Sequence, residues 1–138
     1  MRHFILKNGE TAMKFYVASG LQNKEAVRMV SVKLMQLGWH HTYDWTLNER
    51  ADSLEELQRI GMLEQQAVEE ADVVVVLLPG GKGTHIELGM AIAMKKKIFL
   101  YDTSGEVMNA PTTCTFYQLP EITICTGSIN DLITIVLN

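Results

Sequence analysis

Cysteine is scarce in this sequence, and the common patterns of metal ligands are missing. Cys114 and Cys125 are the only cysteines among 138 residues, neither belongs to a CxxC pair, and no signal peptide precedes them. A reduced setting is therefore expected, with a cytoplasmic location. No H-E-x-x-H motif and no Cys/His cluster is present, so neither a metal site nor another cofactor is expected.

The sequence also lacks strong positive charge and long apolar runs. The formal net charge is −4 at pH 7, and the only basic run, residues 95–97, fits the solvated end of a helix. Nucleic-acid binding is therefore not expected. No apolar run reaches the roughly 18 residues that suggest a membrane span, so no membrane association is expected. With 47% hydrophobic residues, the chain can form one packed domain.

What the sequence does contain is a strand, a glycine-rich loop and a helix in direct succession. Residues 73–78 form an unbroken, mostly β-branched run that predicts a strand buried on both faces, as in a parallel sheet. Residues 79–83 read Pro-Gly-Gly-Lys-Gly and stop this strand, and residues 84–94 predict an almost wholly apolar helix. Ligands of open α/β sheets bind at the carboxyl ends of strands, so this loop marks the expected site.

The other elements continue the alternation of strands and helices. The patterns predict strands at residues 14–18, 39–44, 98–101 and 122–125, helices opening at Asn23 and Ser53, a turn-rich loop at 102–115, and a last helix capped by Ser128 or Asn130. This order predicts a single-domain α/β fold, a Rossmann-like three-layer sandwich with a five-stranded parallel sheet. The domain is expected to span residues 13–138, preceded by an N-terminal extension or edge strand at residues 1–12.

Two nucleotide-binding motifs fail at the glycine loop. A P-loop needs Ser or Thr directly after its lysine, but Gly83 follows Lys82. The dinucleotide fingerprint needs a third glycine where Ile86 stands. The sequence therefore gives no support to ATP hydrolysis or hydride transfer.

Glu87 is the only carboxylate of the apolar helix, and two interpretations of it stay open. Thr84 and Glu87 fit the S/T-x-x-E capping box, in which Thr84 is the N-cap of the helix. Alternatively, Glu87 is a catalytic carboxylate held over the glycine loop.

Several blocks of the sequence resemble the nucleoside 2-deoxyribosyltransferase family, which includes deoxynucleoside 5′-monophosphate N-hydrolases. They are Phe-Tyr-Val-Ala-Ser-Gly at residues 15–20, Tyr-Asp-Trp at 43–45, Ala-Asp-Val at 71–73 and Gly-Thr-His-Ile-Glu-Leu-Gly at 83–89. Residues 79–87 also resemble the P-G-G-x-G-T-x-x-E signature of Lonely Guy-type phosphoribohydrolases. Both families cleave a bond between a sugar C1′ and a base nitrogen.

The resemblance implies three catalytic residues. Glu87 matches the nucleophile that attacks C1′ and forms a glycosyl-enzyme intermediate. Tyr16 matches a tyrosine that orients this carboxylate, although a tyrosine packed in the core would fit the same strand. Asp44 is a candidate for contact with the sugar or the base, or for the start of a turn.

The resemblance and the loop pattern together imply a set of substrate-binding residues: Ser19, Gly20, Gly81, Lys82, Gly83 and Thr84. The first two match loop positions that meet the 5′ end of the nucleotide. Lys82 could reach a 5′-phosphate, or it is an exposed loop lysine. Transferases carry an acidic residue at the position of Gly81, so its absence favours hydrolysis or a different contact with the base.

The sequence therefore predicts an enzyme that cleaves or transfers at the N-glycosidic bond of a nucleoside, a deoxynucleoside or its 5′-monophosphate. A non-catalytic nucleotide-binding or sensing module and a NAD glycohydrolase are the alternatives. The resemblance implies a homodimer or larger homo-oligomer. The sequence does not determine the identity of the base, the preference for ribose or deoxyribose, or the need for a 5′-phosphate. It also leaves open whether water or a second base accepts the sugar.

Overall fold

The computed structural model describes residues 12–138, so the predicted extension lies outside the described residues apart from Ala12. Five parallel strands form one sheet in the order β2-β1-β3-β4-β5. The strands are β1 (Lys14–Ser19), β2 (His40–His41), β3 (Val73–Leu77), β4 (Lys97–Tyr101) and β5 (Ile122–Cys125). The α-helices of these residues are α1 (Lys24–Gln36), α2 (Leu54–Glu70), α3 (Lys82–Ala93) and α4 (Ile129–Leu137).

β3 lies at the centre of the sheet, and all of its residues are buried. It pairs with β1 on one side and β4 on the other, so that Val76 lies opposite both Ala18 and Leu100. α1 packs beside α4, and α2 packs beside α3, which encloses the sheet between two helical layers. The predicted α/β sandwich with a five-stranded parallel sheet is confirmed.

The chain reverses its direction across the sheet at β1. The next strand, β2, lies on one side of β1, whereas β3 lies on the other side. Such a switch point opens a crevice at the carboxyl ends of the two strands, because the connections leave in opposite directions. Ser19 and Leu77, which are paired at the ends of β1 and β3, mark this crevice. The fold therefore brings the glycine loop close to residues 20–23, which connect β1 to α1 and are called the first loop below.

The second strand is shorter than the sequence predicts. Only His40 and His41 pair with β1, whereas the predicted strand covers residues 39–44. Asp44 is instead the N-cap of a short 3-10 helix, Trp45–Leu47, and its carboxylate accepts a hydrogen bond from the Thr46 N–H at 3.0 Å. This local hydrogen bond competes with strand pairing, so the predicted end of the strand is wrong.

α3 begins at Lys82, two residues earlier than predicted, and Gly81 is its N-cap. Thr84 is therefore the third residue of the helix, and the predicted capping box of Thr84 and Glu87 is wrong. The Thr84 side chain is buried and packs against Gly80, where an added Cβ would collide with it. The Thr84 side chain therefore packs under the glycine loop and does not cap the helix.

Two further properties concern membranes and metals. No helix within residues 12–138 combines the length and the apolar character needed to cross a membrane. The same residues hold no group of three or more His, Cys, Asp and Glu side chains placed to bind a metal ion.

The start of α4 decides between the two caps that the sequence offers. The Ser128 hydroxyl accepts a hydrogen bond from the Asp131 N–H at 3.1 Å, and the Asp131 carboxylate accepts one from the Ser128 N–H at 2.9 Å. Ser128 is therefore the N-cap, and Asn130 lies inside the helix.

Ser128→Ala is expected to lower the free energy of unfolding by about 1 kcal/mol, because the Asp131 N–H loses its partner. Asn130→Ala is the matched control, with an expected change within about 0.5 kcal/mol. Urea unfolding measures both variants. Equal losses in the two would contradict the assignment of the cap.

Candidate active site

An open cleft of about 850 Å³ lies at the carboxyl ends of β1 and β3. The segment after β1, the loop after the Trp45–Leu47 turn, α2 and the start of α3 form its walls. Apolar side chains of Trp45, Leu57 and Ile60 line part of it. Six of the predicted site residues also line this cleft: Ser19, Gly20, Gly81, Gly83, Thr84 and Glu87.

Two carboxyl groups meet one phenol at the edge of this cleft. The Tyr16 hydroxyl donates to Glu87 Oε2 at 2.7 Å and lies 3.2 Å from Glu64 Oε2. Tyr16 is fully buried in β1, and the Glu87 side chain is only 7% exposed in α3. Glu64 comes from α2 and lines the cleft beside Glu87. A phenol has one proton to donate, so a second proton between the carboxyl groups completes the hydrogen bonding.

The surroundings of Glu87 favour its protonated form. Burial, followed by the hydrogen bond with Glu64, raises the pKa of Glu87 to about 9, although the Tyr16 hydrogen bond acts in the opposite direction. Two carboxylates this close cannot both ionise without strong repulsion, so the pair keeps one proton at neutral pH. Burial and the two neighbouring carboxylates also raise the pKa of Tyr16, which therefore stays a hydrogen-bond donor.

Helical spacing brings Glu64 to this position. Leu57, Ile60 and Glu64 follow the i, i+3, i+7 pattern of one helix face, and all three line the cleft. Glu64 is not among the residues predicted from the sequence. The available signal was a carboxylate on the apolar face of a helix, where it interrupts the row of residues that continues with Ala67 and Val68.

The glycine loop leaves room for a ligand. A Cβ added to Gly81 or Gly83 would meet no other atom within 4 Å, so packing within residues 12–138 does not require either glycine. Both residues line the cleft at the start of α3. The first N–H groups of a helix have no partner within it, so this end of α3 offers donors to an anion.

Side-chain hydrogen bonds of Ser19 and Asn23 connect the first loop to the end of β3 and to the glycine loop. The Ser19 hydroxyl donates to the Leu77 carbonyl at 2.7 Å. The Asn23 amide donates to Ser19 Oγ and to the Pro79 carbonyl, each at 3.0 Å. Asn23 precedes α1 as predicted, but its side chain joins two loops instead of capping the helix.

Three predicted residues are not among those lining the cleft within the described chain: Tyr16, Asp44 and Lys82. The Asp44 carboxylate caps the turn that carries Trp45, and Lys82 is exposed in the first turn of α3. Lys24 and Arg50 are the cations that do line the cleft within the described chain, and neither is among the residues predicted from the sequence. Lys24 is the first residue of α1, just after the predicted first loop, which was the signal available for it.

The family model described as nucleoside 2-deoxyribosyltransferase matches residues 15–130. The chain belongs to this family. The resemblance stated from the sequence blocks is therefore confirmed. No curated protein matches the sequence.

Among solved structures, this family member is similar to the Clostridium botulinum CMP N-glycosidase BcmB. The match has a TM-score of 0.59 and 18% sequence identity, and it covers 91% of this chain and 99% of that chain. At this identity, the similarity shows a shared fold.

The raised pKa of Glu87 makes the stability of this family member depend on pH. The native state holds more protons than the unfolded chain between about pH 4.5, the ordinary pKa, and about pH 9. Stability is therefore expected to fall as pH rises through this range.

Glu87→Gln is expected to raise the free energy of unfolding near pH 8 by at least about 1 kcal/mol, because the amide needs no proton. The variant should also show a flatter dependence on pH than the wild type. Glu69→Gln, at an exposed glutamate of α2, is the matched control with little expected change. Chemical unfolding at several pH values measures this, and a variant no more stable than wild type near pH 8 would contradict it.

Proposed function

We propose that the protein cleaves the N-glycosidic bond of a nucleoside or nucleoside 5′-monophosphate with Glu87 as the nucleophile. Membership of the nucleoside 2-deoxyribosyltransferase family indicates cleavage or transfer at this kind of bond. The observation that carries the finer proposal is the buried Glu87 carboxyl group, hydrogen-bonded to Tyr16 and paired with Glu64 at a cleft.

In the first step, Glu87 passes its proton to Glu64, and the resulting Glu87 carboxylate attacks C1′ as the bond between C1′ and the base nitrogen breaks. The bonding electrons leave with the base, and the proton that Glu64 received moves on to the base nitrogen. A carboxylate next to the cationic, oxocarbenium-like transition state stabilises its charge and then forms the glycosyl ester. The pair of carboxyl groups thus supplies both a nucleophile and an acid.

Tyr16 positions the nucleophile in this reaction. Its hydroxyl donates to Glu87 Oε2, so Oε1 is the oxygen left to approach C1′. The raised pKa keeps Tyr16 protonated, and a neutral donor at one oxygen favours the ionised form of the carboxyl group.

In the second step, a water molecule attacks C1′ of the ester while ionised Glu64 accepts a proton from that water. Glu87 leaves C1′ as a carboxylate and takes this proton back from Glu64, and the free sugar is released. A second base in place of water would give transfer. Gly81, which stands where transferases carry an acidic residue, supports hydrolysis.

A 5′-phosphate has several candidate partners at the cleft. Lys24 and Arg50 provide positive charge, and the start of α3 at Gly81 and Gly83 provides backbone N–H groups. Lys24 lies close in sequence to Ser19 and Gly20, the positions that the resemblance assigns to the 5′ end. These groups support a nucleoside 5′-monophosphate as the substrate class.

Two further expectations stay part of the proposal. Assembly as a homodimer or larger homo-oligomer is measurable by light scattering. A cytoplasmic location is measurable by fractionation of the native host.

The first test measures free-base release from nucleosides, their 5′-monophosphates and NAD, with and without a second base. Glu87→Ala is expected to lower release at least about 1,000-fold while nucleotide binding persists, because the nucleophile is lost. Glu69→Gln is the control with unchanged release. Nucleotide binding without release in the wild type would support the binding module, and nicotinamide release alone would support a NAD glycohydrolase.

The second test separates the roles of the two carboxyl groups. Glu64→Gln is expected to slow base release by about 100-fold to 10,000-fold, because the leaving base loses its proton donor. A sugar carrying nitrophenolate needs no such proton, so Glu64→Gln should release nitrophenolate in the first turnover at close to the wild-type rate. Its later turnovers should be slow, because Glu64 is also the base of the second step. Glu87→Ala should cleave neither substrate. Equal losses of the first-turnover rate of Glu64→Gln on both substrates would contradict the acid role.

A further inference from the structure

The glycine loop has a second side, which faces away from the cleft. A separate hollow of about 410 Å³ lies there, between the loop and residues 102–117. His85 lines this hollow from the first turns of α3, and Tyr117 lines it from the facing segment. Their side chains are not part of the cleft that holds Glu87.

His85 connects this facing segment to the glycine loop. Its Nδ1 lies 2.8 Å from the Gly81 carbonyl oxygen, which also accepts the backbone N–H of His85 at 3.2 Å. Its Nε2 lies 2.6 Å from the Tyr117 hydroxyl, and the two rings are 5.9 Å apart between centroids. A carbonyl can only accept, so Nδ1 carries a proton, and in the neutral ring Nε2 accepts from Tyr117.

Tyr117 is itself held in place. It is 8% exposed and lies in the short helical turn Thr115–Gln118. The adjacent Gln118 amide donates to the Val107 carbonyl at 2.8 Å, and the Asp102 carboxylate accepts the Gly105 and Val107 N–H groups. The segment therefore gives the His85 ring a fixed partner.

Gly81 has no side-chain packing of its own to hold its position. It has no side chain, an added Cβ would meet nothing within 4 Å, and it forms the boundary between loop and helix. Asn23 holds the Pro79 carbonyl at one end of the loop, and His85 holds the Gly81 carbonyl at the other. Glu87 follows His85 by two residues, so a shift of this turn would move the reacting carboxyl group.

We propose that His85 and Tyr117 are a positioning pair that fixes the active-site glycine loop through the Gly81 carbonyl. The inference rests on the proposed function for its effect on turnover, but it concerns the loop itself. Neither residue contacts the substrate. His85 acts on the cleft from behind the loop, and Tyr117 determines the orientation of the His85 ring.

Three variants test the pair, with Tyr101→Phe as the matched control. His85→Ala removes both side-chain hydrogen bonds, and Tyr117→Phe removes only the bond to Nε2. His85→Asn keeps an N–H at the position of Nδ1, so it can still donate to Gly81. Tyr101→Phe also removes one phenol hydrogen bond, to the Gly127 carbonyl, and leaves the backbone hydrogen bond from the Leu78 N–H to the Tyr101 carbonyl in place.

For turnover, His85→Ala is expected to lower kcat by about 10-fold to 100-fold, since displacing a reacting group by about 1 Å has effects of this size. The kcat of His85→Asn should be close to that of the wild type. The kcat of Tyr117→Phe should lie between those of His85→Ala and His85→Asn. Tyr101→Phe should leave kcat and KM unchanged. A general loss of folding would instead lower the active fraction of all variants alike, which thermal unfolding detects.

Hydrogen exchange of the backbone amides of residues 80–87 gives a readout that needs no turnover. Exchange is expected to be faster in His85→Ala and Tyr117→Phe than in the wild type, and unchanged in Tyr101→Phe. Unchanged exchange in the first two variants overturns the positioning pair, whether or not the wild type releases a base. Faster exchange together with a wild-type kcat would overturn the proposed effect of the pair on turnover. Absence of base release in the wild type counts against the proposed function alone.

Discussion

The convergence of two carboxyl groups on one phenol, with Glu87 buried and Glu64 half-buried, is the constraint on which this structure depends. Glu64 and Glu87 approach the same phenol, and both could not carry a charge there without strong repulsion. Each of the three side chains comes from a different element: Tyr16 from β1, Glu64 from α2 and Glu87 from α3. The packing of α2 beside α3 on one face of the sheet is therefore also the condition that creates the site.

The order of the strands explains why these elements meet where a ligand can enter. The chain leaves β1 toward one edge and resumes on the other side with β3, so the carboxyl ends of the two strands border a crevice. The Ser19, Asn23 and Pro79 hydrogen bonds hold the two loops together at this point. The glycine loop then separates the cleft from the smaller hollow.

Elements with a strong local pattern could be predicted from the sequence, and those decided by tertiary contacts could not. The apolar run of β3 and the capping residues of α2 and α4 each carry their own signal. The end of β2 depends on a side-chain hydrogen bond of Asp44, and the start of α3 on the packing of Thr84 under Gly80. Glu64 was missed because its role appears only when α2 lies against Tyr16, whereas Glu87 stands in a motif of its own.

The shared proton has a further consequence for the balance of charge during the proposed reaction. Before the reaction the pair carries a single negative charge, because the raised pKa of Glu87 keeps one proton on it. In the ester Glu87 is neutral, and the pair still carries one negative charge after the proton has left with the base. Hydrolysis supplies a proton again and returns the pair to its starting charge. The pair therefore needs no counterion to enter or leave during a turnover, and an anionic nucleotide would meet Lys24 and Arg50 beside a carboxyl pair with one negative charge instead of two.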